Sequence, residues 1–366
     1  MRKWILPLLL FHFMMFSTGA AADAESKALT ISVKSSPNAG YVTTLQIRGK
    51  KMLHRLEKRI EEPTKQPLPL TDMYMALGDK NLILDRKGNV YDLKNGKRLW
   101  LPRDLEQQLL TDARLLRKQH YGKLLPWEKV DKIIPKKAKF TVMDLETGKT
   151  FQVQRRAGHS HADVQPLTEE DTKIMKDIYD GHWSWRRRAI LVKADGRTIA
   201  ASMHGMPHGA GALQNGFPGH FCIHFFGSTT HRSEKVDPSH EVMVYQAAGQ
   251  LYNYLENATP YEVVDAFFVA MNQHNEQLLK MTLSRENHKE TKKLMKLLDQ
   301  VEAINNTSSL KEEDTYTSFG VNIPVDVRIY WRGSGVKKDS LSFLVMRNAP
   351  GERWRIDTES LLKSLE

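Results

Sequence analysis

The stretch RRAILVKADGRTIAASMHGMPHGAGALQNGFPGHFCIHFF, residues 187–226, decides the architecture of the central part of this 366-residue chain. Two apolar runs flank Asp195-Gly196, a dipeptide that favours the tight turn of a β-hairpin. A glycine-rich loop then leads to a third predicted strand at residues 220–225. The sequence therefore predicts a hairpin whose second strand is joined, through one loop, to a further strand.

The third predicted strand carries the side chains best suited to catalysis or ligand binding. Side chains two apart in a strand share a face, so His220, Cys222 and His224 are predicted to face one way and the apolar residues between them the other. Cys222 is the only cysteine of the chain, which excludes an intramolecular disulfide. A thiol next to imidazoles is the usual arrangement of a cysteine nucleophile, because the thiolate is the reactive form. We therefore expect Cys222 to be a catalytic residue.

The spacing of these residues resembles the catalytic signature of L,D-transpeptidases. His204-Gly205 precedes the segment Gly219-His220-Phe221-Cys222, and fourteen residues separate His204 from Gly219. The resemblance implies a nucleophilic Cys222, a base at His204 and acyl transfer on peptide stems of peptidoglycan. Three positions depart from the signature. Gly219 replaces a serine or threonine, Phe221 a glycine, and His224 an arginine or asparagine.

The residues themselves leave the choice of base open. His208 lies in the same loop as His204 and is an equal candidate on physical grounds, while His220 is expected to orient the site. We assign substrate contacts to a second set of residues. These are His161, His224 and Trp185.

A metal site is the alternative interpretation of the same region. Nine of the fourteen histidines lie between His159 and His240, and imidazole, thiolate and carboxylate ligands suit zinc. This alternative predicts a metal-dependent peptidase or amidase of the cell wall, whereas the first hypothesis needs no cofactor. A third possibility is a wall-binding module without catalysis. The ligand candidates are His159, His161, Asp163, His220 and His224.

The N-terminus and the net charge predict where the protein acts. Residues 1–24 have two basic residues, an apolar run and a small-residue end, as in a secretory signal peptide. We therefore expect a secreted, cell-wall-associated protein with no stable membrane span after cleavage. The net charge of +11 favours peptidoglycan or another anionic wall polymer as partner. We find no nucleic-acid-binding motif and predict no nucleic-acid partner.

The predicted fold is α+β and multidomain. After the signal peptide we place an N-terminal α+β module at 25–137, a mainly-β catalytic-like domain at 138–256 and a C-terminal α+β domain at 257–366. The last has helices first and an antiparallel sheet last, a layout that resembles cone-shaped nuclear-transport-factor-2-like domains.

Periodicity and turn residues also predict individual elements. Strands are predicted at 29–33, within 82–101, in a hairpin within 140–153, and at 325–331, 340–347 and 354–356. Helices are predicted at 43–62, after Pro102, after Thr168, at 239–256, after Thr259 and at 284–304.

Overall fold

A computed structural model describes residues 28–64, 67–230, 234–284, 289–308 and 312–365. The predicted signal peptide lies outside the described residues. Within them the chain is α+β, with ten helices and three sheets, one of which is a closed barrel. None of the described helices is long and apolar enough to cross a membrane.

The first region is a seven-stranded antiparallel sheet with two helices, in the strand order β2-β1-β4-β5-β6-β7-β3. Its elements are β1 (Leu29–Val33), β2 (Thr43–Ile47), α1 (Lys50–Glu57), β3 (Ile60–Pro63), β4 (Met73–Leu77), β5 (Lys80–Leu84), β6 (Val90–Asp92), β7 (Lys97–Trp100) and α2 (Arg103–His120). The predictions for 29–33, for 82–101 and for the helix after Pro102 are confirmed. The helix predicted over 43–62 is wrong at both ends, because β2 pairs with β1, and β3 pairs with β7.

The second region is a closed barrel of six strands in the order β10-β13-β12-β11-β8-β9. Its elements, after α3 (Trp127–Ile133), are β8 (Lys139–Asp144), β9 (Thr150–Ala157), β10 (Ala162–Pro166), α4 (Glu169–Ile178), β11 (Arg187–Ala194), β12 (Arg197–His204) and β13 (Phe221–His224). The Asp195-Gly196 hairpin is confirmed, and both residues have the positive φ that its turn requires. The helix after Thr168 is confirmed, including a capping box between Thr168 and Asp171.

Alternation along the strands separates the inside of the barrel from its outside. One core cluster draws a side chain from each strand: Phe140, Phe151, Val164, Ile190, Ile199 and Phe221. Ser202, Cys222 and His224 have the opposite orientation, so they lie on the outer face of β12 and β13. The reactive side chains of this segment therefore lie outside the barrel, beneath the elements that pack against β12 and β13.

The third region packs helices on a four-stranded antiparallel sheet, in the order β14-β15-β16-β17. Its elements are α5 (Pro238–Ala247), α6 (Leu251–Asn257), α7 (Pro260–Gln273), α8 (Glu276–Thr282), α9 (Lys289–Leu298), β14 (Val301–Asn306), β15 (Gly320–Trp331), β16 (Gly335–Met346), β17 (Arg355–Ile356) and α10 (Thr358–Leu365). The three predicted strands are confirmed. The helix predicted at 239–256 is two helices, separated at Gly249 with φ +65°. Of the helix predicted at 284–304, residues 285–288 lie outside the described residues and α9 confirms 289–298, but the prediction is wrong at its end, where β14 begins at Val301.

A single hydrophobic core joins the three regions. It contains Leu29 of the first sheet, the outward-facing Leu191 and Ala200 of the barrel, and Phe267 of α7. Helix α5 carries buried apolar side chains such as Val242 into the same core while it lies against β11 and β12. The predicted domain boundaries near 138 and 257 stay predictions, since apolar packing runs across both.

Candidate functional site

Cys222 lies at the centre of a cluster of polar side chains on the outer face of the barrel. It is 5% exposed and sits on β13 directly opposite Asp163 of β10. The Asp163 Oδ1 atom is 3.5 Å from Cys222 Sγ and 3.3 Å from His161 Nε2. Strand register therefore brings a thiol, a carboxylate and an imidazole together.

The glycine-rich loop at 205–219 folds back so that His208 reaches the sulfur. The main chains of His208 and His220 donate to each other's carbonyl groups, with both N···O distances 2.9 Å. This pairing sets His208 Nε2 3.4 Å from Cys222 Sγ. The other ring nitrogen of His208, Nδ1, is 3.3 Å from the carbonyl oxygen of Met206. Of the imidazoles considered as bases, His208 is the one with a hydrogen-bond contact to the thiol.

Two side chains that sequence reasoning missed hold this loop in place. Gln165 Oε1 on β10 accepts hydrogen bonds from the main-chain N–H groups of Ala212 and Leu213. Asn215 is fully buried, donates to the carbonyl of Pro166 and accepts from the N–H of Phe217. The sequence predicts no strand at residues 162–166, so it gives no signal for Gln165.

Three buried imidazoles form a stack beneath the sulfur. The ring centroids of His161 and His224 are 4.3 Å apart, and those of His224 and His240 are 3.8 Å apart. His161 Nδ1 is 2.8 Å from the carbonyl oxygen of Thr229, and His240 Nδ1 is 2.9 Å from Ser202 Oγ. His240 belongs to the histidine-rich region, but no role was predicted for it. Its place on α5, which covers the outer face of β12, brings it into the site.

His204 lies beside the thiol without the contact that the resemblance implies. It is buried, with Trp185 and His208 ring centroids 4.7 and 5.2 Å away. Its Nδ1 atom has no hydrogen-bond partner among the residues that the structure describes. Trp185 is 51% exposed and covers both His204 and His208 from the solvent side. A base at His204 would need a shift of its ring, whereas His208 needs none.

Burial controls the protonation of this cluster. Desolvation strongly raises the pKa of the Cys222 thiol, and the Asp163 carboxylate raises that pKa further. Desolvation lowers the pKa of His208, and it holds the pKa values of His204 and His240 well below the usual range. At neutral pH the site therefore holds a protonated thiol beside neutral His204, His208 and His240.

A cation that sequence reasoning missed lies at the edge of the cluster. Arg187 stands opposite His204 in the register of β11 and β12, and its guanidinium is 2.8 Å from the Asp237 carboxylate. Its positive charge lowers the pKa of His204 and of Cys222, in each case as a smaller cause than burial. The positive charge of Arg187 therefore favours the thiolate form of Cys222, although burial opposes it more strongly.

The candidate ligands of the metal alternative are only partly brought together. The ligand atoms of His161, Cys222 and His224 lie within 4.8 Å of one another, and so do those of His204, His208 and Cys222. His220 Nε2 is 3.9 Å from Asp163 Oδ1. His159 is exposed and lies outside both groups. Cys222, which the metal hypothesis places on one strand face with His220 and His224, belongs to both groups.

Comparison with known proteins finds no matching family model, and it finds no match among curated proteins or solved structures.

Proposed function

We propose that this chain is an exported cell-wall enzyme that transfers acyl groups of peptidoglycan stem peptides through Cys222. The sulfur attacks an amide carbonyl, the amine leaves, and the resulting thioester passes its acyl group to a second amine or to water. The observation that supports this function best is the 3.4 Å contact between Cys222 Sγ and His208 Nε2. The resemblance of the His-Gly and His-x-Cys spacing to L,D-transpeptidases supplies the substrate class.

The surroundings of His208 suit the role of general base. With its Nδ1 hydrogen directed at the Met206 carbonyl, the neutral ring presents the lone pair of Nε2 to the thiol. The thiol proton moves to Nε2 as the S–C bond forms, and Nε2 then gives that proton to the leaving amine. A water or amine that attacks the thioester loses its proton to the same nitrogen, and the thiol is restored.

Asp163 acts on both partners of this proton transfer. Its negative charge raises the pKa of the Cys222 thiol, which disfavours a free thiolate. The same charge raises the pKa of His208, against the larger effect of burial, and so favours the imidazolium that forms during the attack. The resting site is therefore protonated on sulfur and poised to move that proton only when a carbonyl carbon is present.

Access to the sulfur is from the side of the glycine-rich loop. His208 is half-buried, the His220 side chain is 19% exposed, and Trp185 offers an exposed ring beside them. On the opposite side the stack of His161, His224 and His240 is buried. The substrate role that we predicted for Trp185 agrees with this placement, whereas His161 and His224 lie too deep to contact a polymer without rearrangement.

Covalent labelling tests this function. We expect incubation with a carbapenem to add one acyl group to Cys222, read by intact mass, and a Cys222→Ser variant to show no addition. His208→Ala should slow the addition by about 100-fold, in the range of general-base effects, while His204→Ala should slow it less. His159→Ala is the matched control, because His159 is exposed and outside the cluster. Equal rates in the His208→Ala and His159→Ala variants would contradict the assignment of the base.

Metal-dependent amide hydrolysis is a second candidate, favoured by a specific feature of the imidazoles. The Nδ1 atoms of His161 and His208 both lie near main-chain carbonyl groups, the support that metal-binding histidines commonly have. The Nε2 atom of His161 then points towards Asp163, and that of His208 points towards Cys222. A zinc ion held by one of the two groups that share Cys222 would supply an activated water as the nucleophile.

Metal analysis separates the two candidates. The metal hypothesis predicts about one zinc per chain after equilibration with zinc and removal of excess, and loss of that zinc in Cys222→Ser and His161→Ala variants but not in His159→Ala. A chain that labels with the carbapenem and retains no zinc supports the thiol enzyme. A chain that retains zinc and does not label supports the metal enzyme.

A further inference from the structure

A cavity of about 620 Å³ lies where the first sheet, the barrel and the C-terminal helices meet. All three regions contribute to its wall: residues 35–38 and 69–71 with Tyr74 from the first, 144–146 and 186–189 from the second, and 273–277 with Lys280 from the third. Its volume is within the range of small-molecule binding sites. The proposed acyl-transfer mechanism does not use it.

The cations in this wall are paired with carboxylates of the protein. Each lining cation has a carboxylate within 4 Å. Arg186 is paired with Asp180, Arg187 with Asp237, Arg188 with Asp144, and Lys280 with Glu276. The Glu146 carboxylate accepts hydrogen bonds from the hydroxyl groups of Ser35 and Ser36. A ligand with several charges would have to break these pairs, so the wall favours a neutral ligand.

Neutral hydrogen-bonding groups remain available in the same wall. Gln273 and Gln277 line it, and the side-chain oxygen of each is buried without a hydrogen-bond partner among the described residues. Buried acceptors of this kind cost free energy until a donor reaches them. Asn38 and Tyr74 also line the cavity, so amide and phenol groups stand next to apolar surface such as Leu70.

We propose that this cavity binds a neutral saccharide that carries hydroxyl and acetamido groups. Hydroxyl groups of such a ligand can donate to the Gln273 and Gln277 amide oxygens after a small rotation of these side chains. Its acetamido methyl groups and the apolar faces of its rings match the Leu70 and Tyr74 surfaces. A peptide stem fits less well, because its carboxylates would need cations that are not already paired.

Arg187 connects the cavity with the thiol site. It lines the cavity, and in the β11–β12 ladder it stands opposite His204. A saccharide held here therefore lies next to β11, whose neighbour β12 carries His204 beside the Cys222 cluster. One polymer with a glycan backbone and peptide branches could occupy both places. The saccharide proposal itself does not depend on the reactivity of Cys222.

Calorimetric titration of the purified chain with tri-N-acetylchitotriose tests the proposal. We expect saturable binding, weakened by roughly fivefold or more in Gln277→Leu, which removes an amide from the wall. Gln107→Leu is the matched control, because Gln107 is exposed on α2 and away from the cavity. Asn38→Ala provides a second wall variant should Gln277→Leu fail to fold, which thermal unfolding reports.

Several outcomes would overturn the proposal. No saturable binding to the unmodified chain at about 1 mM saccharide would do so, as would equal weakening by Gln277→Leu and Gln107→Leu. Binding of a glycerol-phosphate oligomer or a stem peptide in place of the saccharide would also reject it. Cys222→Ser must still bind the saccharide, so that loss of acyl transfer and loss of saccharide binding are distinguished.

Discussion

Gly219 offers a sharp test of how the loop places His208 against the sulfur. Its φ is +130°, a backbone angle that residues other than glycine rarely adopt. A Cβ atom at this position would lie 2.5 Å from the carbonyl oxygen of His208 and 3.0 Å from that of Gly209. The His208 carbonyl accepts the hydrogen bond from the His220 N–H, so Gly219→Ala disrupts the pairing that carries the proposed base.

The magnitude follows from two separable costs. Positive φ costs an alanine roughly 1–2 kcal/mol relative to glycine. Overlap with a fixed carbonyl group adds about 1–3 kcal/mol, the range for overpacking. Together these two costs predict that Gly219→Ala lowers the free energy of unfolding by about 2–5 kcal/mol. Gly216→Ala is the matched control, because its φ is +70° but a Cβ atom there would have nothing within 4 Å, so it incurs only the first cost.

Urea unfolding of the two variants measures the difference in stability, and carbapenem labelling of Cys222 measures the effect on the site. We expect the Gly219→Ala variant to label more slowly than the parent chain under conditions where both are folded, since His208 moves away from the sulfur. The Gly216→Ala variant should label at the parent rate. Equal losses of stability in the two variants would refute the steric argument, and unchanged labelling in Gly219→Ala would refute the role of the loop pairing.

Two further predictions concern buried charges. Burial, with smaller contributions from the Glu312 and Glu262 carboxylates, raises the pKa of Asp265 to about 6, so the folded state binds this proton more tightly than the unfolded state. The free energy of unfolding should therefore fall by about 2–3 kcal/mol as pH rises from about 4 to about 7. Urea unfolding of Asp265→Asn at the two pH values should show that this loss is removed. An unchanged pH dependence in the variant would contradict the assignment to Asp265. Arg188 makes a two-pronged contact with the buried Asp144, at 2.6 and 2.7 Å, so Arg188→Leu should lower the free energy of unfolding by about 3–5 kcal/mol by leaving a buried carboxylate without its cation. A loss under about 1 kcal/mol in thermal or urea unfolding would show that water replaces the guanidinium.

Local sequence signals were sufficient for the parts of the fold that depend on neighbouring residues. The Asp195-Gly196 turn fixes its hairpin, and the alternation around Cys222 puts Phe221 and Ile223 into the barrel core. Both depend on backbone geometry and period, which a sequence displays directly. The closure of six strands into a barrel was not visible, because it requires β9 and β13 to meet β10 from opposite sides.

The errors in the element predictions have the same physical origin. The 43–62 segment has helical character only in α1, and its ends become strands because β1 and β7 offer partners that local propensity does not reveal. β14 forms soon after α9 for the same reason, since it pairs with β15. Tertiary pairing overrides local propensity at such places, and a single sequence does not reveal the partner.

The spacing of the motif and the contacts in the structure point to different residues as the base. Spacing selects His204, but α5 packs over the outer face of β12, and His204 is buried there with its ring 5.9 Å from that of His240. His208 combines contact with the sulfur and partial exposure, because its loop is held by pairing with His220 rather than by a strand. A base must reach both the nucleophile and the leaving group of a substrate that arrives from solvent. That requirement favours His208 over His204, and it does so independently of the motif that drew attention to the region.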